Sequence, residues 1–232
     1  MVSICMAVKN GAQFVREQID SILPQLEAED ELIISDDQST DDTVNIILSY
    51  TDPRIKLYFN SRSGIVSNFE NCLSICRGDF IFLCDQDDRW KNNKVHCMLT
   101  HLNYHDLVVS DCLIINQQYP IANQSFFELN RSGKGLWRNL LRNSYMGCCM
   151  AFNRKVLQKA LPFPGKIPMH DLWIGLIAEV YFKVAFIPDQ LVLHRRHHRN
   201  ASTTSASSSY SLIEKLGFRY KLVKHLIQLS YA

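Results

Sequence analysis

Gly78-Asp79-Phe80-Ile81-Phe82-Leu83-Cys84-Asp85-Gln86-Asp87-Asp88 reads as a buried strand that runs without a break into three carboxylates. Phe80 to Cys84 is a continuous apolar run, long enough for a central strand and too short for a helix of ordinary length. Negative charges as crowded as Asp85, Asp87 and Asp88 repel one another unless water or a shared cation lies between them. Open α/β sheets bind ligands at the carboxyl ends of their parallel strands, so a strand ending in acids points to a cation-assisted site. Oxygen ligands without Cys or His suit Mg²⁺ or Mn²⁺ better than zinc. A bare Asp-x-Asp is also a common solvated turn, and the neighbouring sequence decides between the two.

Upstream, strand and helix patterns alternate. Val2 to Val8 reads as a strand, Asn10-Gly11 as a turn, and Ala12 to Leu23 as a helix closed by Pro24. Glu31 to Ser35 is a second strand. Ser39 and Asp42, at capping-box spacing, announce a helix over Val44 to Tyr50. Ile55 to Phe59 is a third strand and Val66 to Cys76 a helix. Such alternation implies right-handed crossovers and a parallel sheet. Downstream, Leu107 to Asn116 and Cys148 to Phe152 read as strands, with helices over Gly135 to Asn143 and His170 to Tyr181. Ala201 to Ser211 is a Ser/Thr-rich connector. Beyond it Ile213, Leu216, Tyr220, Val223 and Ile227 recur at helical spacing, while Leu222, Leu226 and Leu229 form a second apolar strip. The division is one domain over residues 1–200, then a connector and a basic amphipathic helix over 201–232.

The composition, 47% hydrophobic and 21% charged, is that of a globular chain with a sizeable core. Its charge is uneven. From His194 to Ala232 seven Lys and Arg face one acid, a net +6 within a chain whose total is only +2. A mildly acidic body with a basic tail argues against nucleic acid as partner. It suits a chain whose end approaches an anionic surface. Eight cysteines show no Cys-x-x-Cys and no framework spacing, which places the protein in a reducing cytoplasm. Met1-Val2-Ser3-Ile4-Cys5 has no charged leader, and no run approaches the ~18 apolar residues a membrane span needs.

Asp36 and Asp37 end the second strand as Asp85 to Asp88 end the fourth. Neither Walker nor dinucleotide glycine patterns occur, so a metal rather than a glycine-rich loop is expected to neutralise phosphates. With Val2 to Gly11, Glu31 to Thr43, and Cys84-Asp85-Gln86-Asp87-Asp88-Arg89-Trp90, the sequence resembles family 2 glycosyltransferases of the GT-A fold. Asp-Gln-Asp-Asp-x-Trp, Asn68-Phe69 and Met169-His170-Asp171-Leu172-Trp173 resemble the rhamnosyltransferase branch most. The resemblance extends from Val2 to about Asn200.

That resemblance implies an α/β fold with a mostly parallel, Rossmann-like central sheet and flanking helices. It implies that Ala7 and Lys9 line a base pocket, that Asp37 binds the base with Asp36 in support, and that Asn68 lies near the nucleotide. Asp85 and Asp87 would bind the nucleotide sugar. Asp87 and Asp88 would hold Mg²⁺ or Mn²⁺, with His197 completing the metal shell or holding the diphosphate. Asp171 would be the general base of an inverting transfer, and Arg195 a donor contact. His194 to Asn200 resembles the family's late Tyr-Arg-Gln-His-x-x-Asn segment, with His194 in place of Tyr and Arg196 in place of Gln. Lys9 stands where an aromatic residue often stacks on the base. His170 reads as an acceptor-site or packing residue.

The expected reaction is transfer of a sugar, L-rhamnose from dTDP-L-rhamnose, to a glycan or lipid-linked acceptor in surface polysaccharide or O-antigen synthesis. The expected place is the cytoplasm, with peripheral contact at the inner face of the membrane. Glucose, galactose or GlcNAc as the sugar, a non-catalytic nucleotide-sugar-binding subunit, and a Mg²⁺-dependent phosphoryl-transfer domain are the competing readings.

Overall fold

The computed structural model describes residues 1–116, 124–165, 167–196 and 212–230. The first half runs β1 (Val2–Val8), α1 (Val15–Ile22), β2 (Glu31–Asp36), α2 (Thr43–Leu48), β3 (Ile55–Phe59), α3 (Ile65–Ile75) and β4 (Phe80–Asp85). β5 (Arg89–Trp90), α4 (Lys94–Leu102), β6 (Leu107–Asn116), β7 (Gln124–Ser125), α5 (Phe126–Asn130) and α6 (Leu136–Leu141) follow. The chain then forms β8 (Met150–Asn153), α7 (Arg154–Ala160), α8 (His170–Tyr181), β9 (Val184–Arg196) and α9 (Leu212–Ser230). All strands join one sheet in the order β3-β2-β1-β4-β8-β6-β9-β5, with β7 on β6.

β3, β2, β1 and β4 are mutually parallel. Every residue of β1 and β2 is buried, which explains why these strands are apolar runs and not alternating patterns. β3, at the edge, leaves Tyr58 and Phe59 exposed. The chain leaves β1 toward β2 on one side and reaches β4 on the other, so the strand order reverses between β1 and β4. A crevice opens at that reversal, at the carboxyl ends. Ala7 pairs with Asp85 and Val8 with Asp36, which places the acids of β2 and β4 on either side of the end of β1.

The remaining strands bring further groups to the same end. β8 is antiparallel to β4, so the turn preceding it, Gly147–Cys149, lies beside the end of β4. β9 runs parallel to β6 and delivers His194 at its own carboxyl end. β5 pairs with β9 through Arg89 and Trp90 opposite Leu193 and Val192, folding the acidic loop against His194 and Arg195.

Several local expectations shift. The first helix begins at Val15, not Ala12, and the eighth strand at Met150, because Gly147–Cys149 is a 3₁₀ turn. The Ser39–Asp42 capping box does not form. Asp41 instead accepts from the N–H groups of Thr43 (3.0 Å) and Ala12 (3.1 Å), and Ser39 accepts from the Asn10 N–H (2.8 Å). Asn10 sits in the left-handed region at φ 49°, which Asn tolerates better than most residues.

α9 shows which of its apolar strips meets the core. Its buried strip is Leu222 and Leu226, with His225 edge-on to the Trp173 ring at 6.4 Å. Of the other strip, Leu216, Tyr220 and Ile227 are exposed, while Val223 packs partly on the core.

Inside α8, a methyl on Gly175 would overlap the Tyr145 ring, whose hydroxyl donates to Glu179 at 2.8 Å. Gly175→Ala is therefore expected to destabilise the protein by about 1–3 kcal/mol despite the better helix propensity of Ala. Urea denaturation followed by circular dichroism measures this, and an unchanged midpoint would contradict the packing.

Candidate active site

A cavity of about 430 Å³ opens at the crevice between the ends of β1 and β4. Ala7, Lys9, Asp37, Asn68, Asp85, Asp87, Gly147, His170, Asp171 and His194 are among the residues that line it. Among the positions expected from sequence, these seven come together: Ala7, Lys9, Asp37, Asn68, Asp85, Asp87 and Asp171.

Asp37 is nearly buried and holds three donors. They are the Lys9 ammonium at 2.9 Å, the Asn60 amide at 3.0 Å and the Gly64 N–H at 3.1 Å. Burial pushes its pKa up, but Lys9, Gly64 and Asn60 outweigh that and hold it below the usual carboxylate range. A carboxylate offers about four lone-pair sites, so one remains for an incoming N–H. Asn68 is anchored by donating to the Val8 carbonyl at 3.1 Å, while its own carboxamide oxygen is buried without a hydrogen-bond partner. Gln86 bridges to Lys9, accepting from its N–H at 2.9 Å and donating to its carbonyl at 3.0 Å. Asp36 does not reach the cavity. It accepts from the Ser39 N–H at 2.9 Å and shapes the turn that carries Asp37.

The three acids of the β4 loop separate into two roles. Asp85 and Asp87 face the cavity. Burial first, then repulsion from Asp88 and Asp87, raises the Asp85 pKa well above the normal range. Asp88 is fully buried behind them. One of its oxygens accepts from His194 Nδ1 at 2.9 Å and from the Arg195 N–H at 3.1 Å, and the other has no hydrogen-bond partner. Burial would lower the His194 pKa, but Asp88, and more weakly Asp85, lift it to about 9. His194 is thus an imidazolium at neutral pH. Arg195 also turns away from the cavity, donating to the Asp87 carbonyl at 3.1 Å and to Glu17 at 2.7 Å, with Phe14 under its guanidinium. It braces the acidic loop from outside.

Two donor sets merit comparison for a divalent ion. Asp88, Cys148 and His194 place their ligand atoms within 4.8 Å of one another. In that set His194 carries a proton, and the Cys148 thiol is held protonated by its hydrogen bond with Cys149 and by burial. A cation would have to displace both protons. Asp85 and Asp87 are oxygen donors on the cavity wall whose mutual repulsion a cation would relieve, and they fit Mg²⁺ or Mn²⁺. His197, expected in the metal shell, lies outside the described residues.

Asp171 lies in the first turn of α8 and lines the same cavity. Its carboxylate accepts from the Leu172 N–H at 2.6 Å and the Gly147 N–H at 3.2 Å. Burial outweighs both bonds and raises its pKa to about 6. His170 beside it stacks on Phe69, centroids 3.8 Å apart, with both ring nitrogens buried and without hydrogen-bond partners. Burial drops its pKa to about 3, so it is neutral. Lys94, fully buried, holds the nearby turn by donating to the Cys148 carbonyl at 2.5 Å, its ammonium 4.4 Å from the Trp90 ring centre. Sequence reasoning missed Gln86, Gly147 and Lys94 as parts of this site. Gln86 lay within the acidic motif, while Gly147 and Lys94 carry no recognisable spacing.

A half-parallel sheet with an acidic crevice at its strand-order reversal, lined also by Asp171, is the arrangement of a GT-A glycosyltransferase fold. The chain belongs to glycosyl transferase family 2, whose model matches residues 3–161. It is 29% identical over 184 residues to the UDP-Glc:alpha-D-GlcNAc-diphosphoundecaprenol beta-1,3-glucosyltransferase WfgD of Escherichia coli, covering 77% of this chain and 70% of that protein. In structure it is similar to TarS of S. aureus in complex with UDP-GlcNAc, with a TM-score of 0.74 at 17% identity over 98% of this chain. The chain spans 66% of that solved chain, slightly less than two thirds. It is also similar to glucosyl-3-phosphoglycerate synthase of Mycobacterium tuberculosis with Mn²⁺, UDP and phosphoglyceric acid, with a TM-score of 0.62 at 20% identity over 99% of this chain and 78% of that one.

Proposed function

We propose that this chain transfers a hexose, with inversion, from a pyrimidine nucleoside diphosphate to a hydroxyl of a glycan or lipid-linked acceptor. One observation carries the reading. A carboxylate with a pKa of about 6, Asp171, shares a cavity with the paired acids Asp85 and Asp87.

The residues divide the work. The open lone pair of Asp37 suits the imide N–H that uracil and thymine share. Asp85 and Asp87 would hold a divalent ion, which when bound supplies charge stabilisation for the departing diphosphate. Asp171 takes the proton of the acceptor hydroxyl. The oxygen's electron pair then forms the new bond to the anomeric carbon, as the bond from that carbon to the phosphate oxygen breaks. A single displacement inverts the carbon. Burial of Asp171 keeps its basicity near neutral pH, where an exposed aspartate would be a far weaker base.

For the donor, the Asp-Gln-Asp-Asp-x-Trp and His-Asp-x-Trp motifs favour L-rhamnose, whereas the E. coli relative favours glucose. The acceptor we propose is a lipid-linked glycan presented at the cytoplasmic face of a membrane, as the diphosphoundecaprenol in that relative's name suggests. Residues 1–200 would carry the chemistry. A thermal-shift screen of dTDP-L-rhamnose, UDP-glucose, UDP-galactose and UDP-GlcNAc, with and without Mn²⁺, tests the donor. One of them should raise the midpoint with concentration, and more so with Mn²⁺. No stabilisation by any of the four would overturn the reading.

A further inference from the structure

α9 carries two apolar strips and buries only one. Leu222 and Leu226 face the core, at 1% and 7% exposure. Leu216 and Tyr220, one turn apart, are 61% and 71% exposed. They lie roughly 120–160° around the helix from Leu222 at 100° per residue. Between them Arg219 reaches the end of α6 and donates to the carbonyls of Leu140 (2.8 Å) and Leu141 (2.9 Å). That contact joins α9 to a second exposed apolar pair, Trp137 and Leu141 of α6, at 72% and 71% exposure. Four large apolar side chains around one contact are more than the scattered exposure of an ordinary surface.

Along α6 and the greater part of α9 the charged residues are basic. Residues 133–142 contain Lys134, Arg138 and Arg142 and no acid, and residues 216–230 contain Arg219, Lys221 and Lys224 and no acid. Glu179, close by, is committed to the Gly135 N–H and the Tyr145 hydroxyl. Glu214 lies at the start of α9, before the stripe. Among the described residues no helix is long and apolar enough to cross a membrane. A second copy of this chain would set these cations against each other. An anionic bilayer matches both the aromatic and aliphatic groups and their basic border.

We infer that the α6–α9 face, built from Trp137, Leu141, Leu216 and Tyr220 with its basic border, docks on the surface of an anionic lipid bilayer. This deepens the proposed function, resting on its lipid-linked acceptor, by naming the face that meets the membrane. Trp and Tyr favour the headgroup level, where an apolar ring and a polar tip are both accommodated.

The test uses the whole chain and vesicles of phosphatidylcholine with or without a third of phosphatidylglycerol. The chain holds three tryptophans, and Trp90 and Trp173 are each 1% exposed, so an emission change reports Trp137. Anionic vesicles should sediment the protein and shift its emission to the blue, and neutral vesicles should do so far less. Leu216→Gln with Tyr220→Gln should weaken the partition by about tenfold or more. Lys221→Glu with Lys224→Glu should remove the preference for anionic lipid, and these exposed changes should leave the circular dichroism intact. Absence of binding, binding untouched by both pairs, or a dimer dissociated by the Gln pair would overturn the inference. The measurement needs no donor. Vesicle binding without nucleotide-sugar stabilisation would sink the transferase reading alone, and the converse would sink the docking face alone.

Discussion

Asp171→Asn is expected to lower the turnover number by about 10²- to 10⁴-fold while leaving donor binding within a few fold, the effect of removing a positioned general base. The carboxylate shares the cavity with Asp85 and Asp87, and its pKa of about 6 sets the pH dependence. Only the ionised form can take a proton. In the unsubstituted enzyme the turnover number should fall tenfold per pH unit below about 6 and level off above it; the Asn variant should lose that limb. Stability provides the control. Because the folded-state pKa lies above the ordinary aspartate value, the native state binds the extra proton between about pH 4 and pH 6. Asp171 therefore costs stability as pH rises through that window, by roughly 3 kcal/mol for two pH units. Asn removes this cost. It also leaves one of the two N–H donors, Leu172 or Gly147, facing an amide NH₂ in place of an oxygen, a loss of about 1–3 kcal/mol. The two nearly cancel, so the variant should melt within a few degrees of the parent. A dead variant that is also unfolded would say nothing of a base; an active one would remove Asp171 from the chemistry.

How much of this was legible beforehand depends on whether the signal was local. β1, β3, β4, β6 and α8 match the sequence pattern to within a residue; for β1 and β4 this is because a run buried on both faces has only one composition open to it. The acids at the ends of β2 and β4 could be recognised as a pair because a parallel sheet puts all its carboxyl ends together. Arg195 could not be placed. Its side-chain direction depends on β5 pairing with β9, a contact between positions about a hundred residues apart. The same contact brings His194 to Asp88. On α9 the sequence offered two apolar strips with equal claim to the core, and only packing against Trp173 decided between them. The capping of α2 failed for a smaller reason: Asp41 stands nearer the Thr43 N–H than Ser39 does, and a carboxylate is the stronger acceptor.

Asp87 and Asp88 are adjacent and identical in type, yet their replacement by Asn should have opposite consequences. Asp87 faces the cavity beside Asp85, whose raised pKa records how poorly the crowded negative charge is tolerated there. Asp87→Asn weakens the oxygen donor set for Mg²⁺ or Mn²⁺ and relieves that repulsion. It should therefore lose activity by about 10²- to 10³-fold, the scale of removing one electrostatic stabiliser of a leaving group, while melting well above Asp88→Asn. Asp88 is buried against an imidazolium that it keeps protonated at neutral pH. Asp88→Asn strands the His194 charge in the interior. Breaking one side of a buried pair costs about 3–5 kcal/mol, so this variant should melt many degrees lower, although proton loss from His194 would soften the fall. Calorimetry on both variants, beside nucleotide thermal shifts with and without Mn²⁺, reads the two effects separately. The Mn²⁺-dependent part of the shift should vanish in Asp87→Asn. In Asp88→Asn it should persist wherever the protein is still folded, since Asp85 and Asp87 remain. If the two variants behaved alike, the division of the acidic loop into a cavity-facing pair and a buried brace would be wrong.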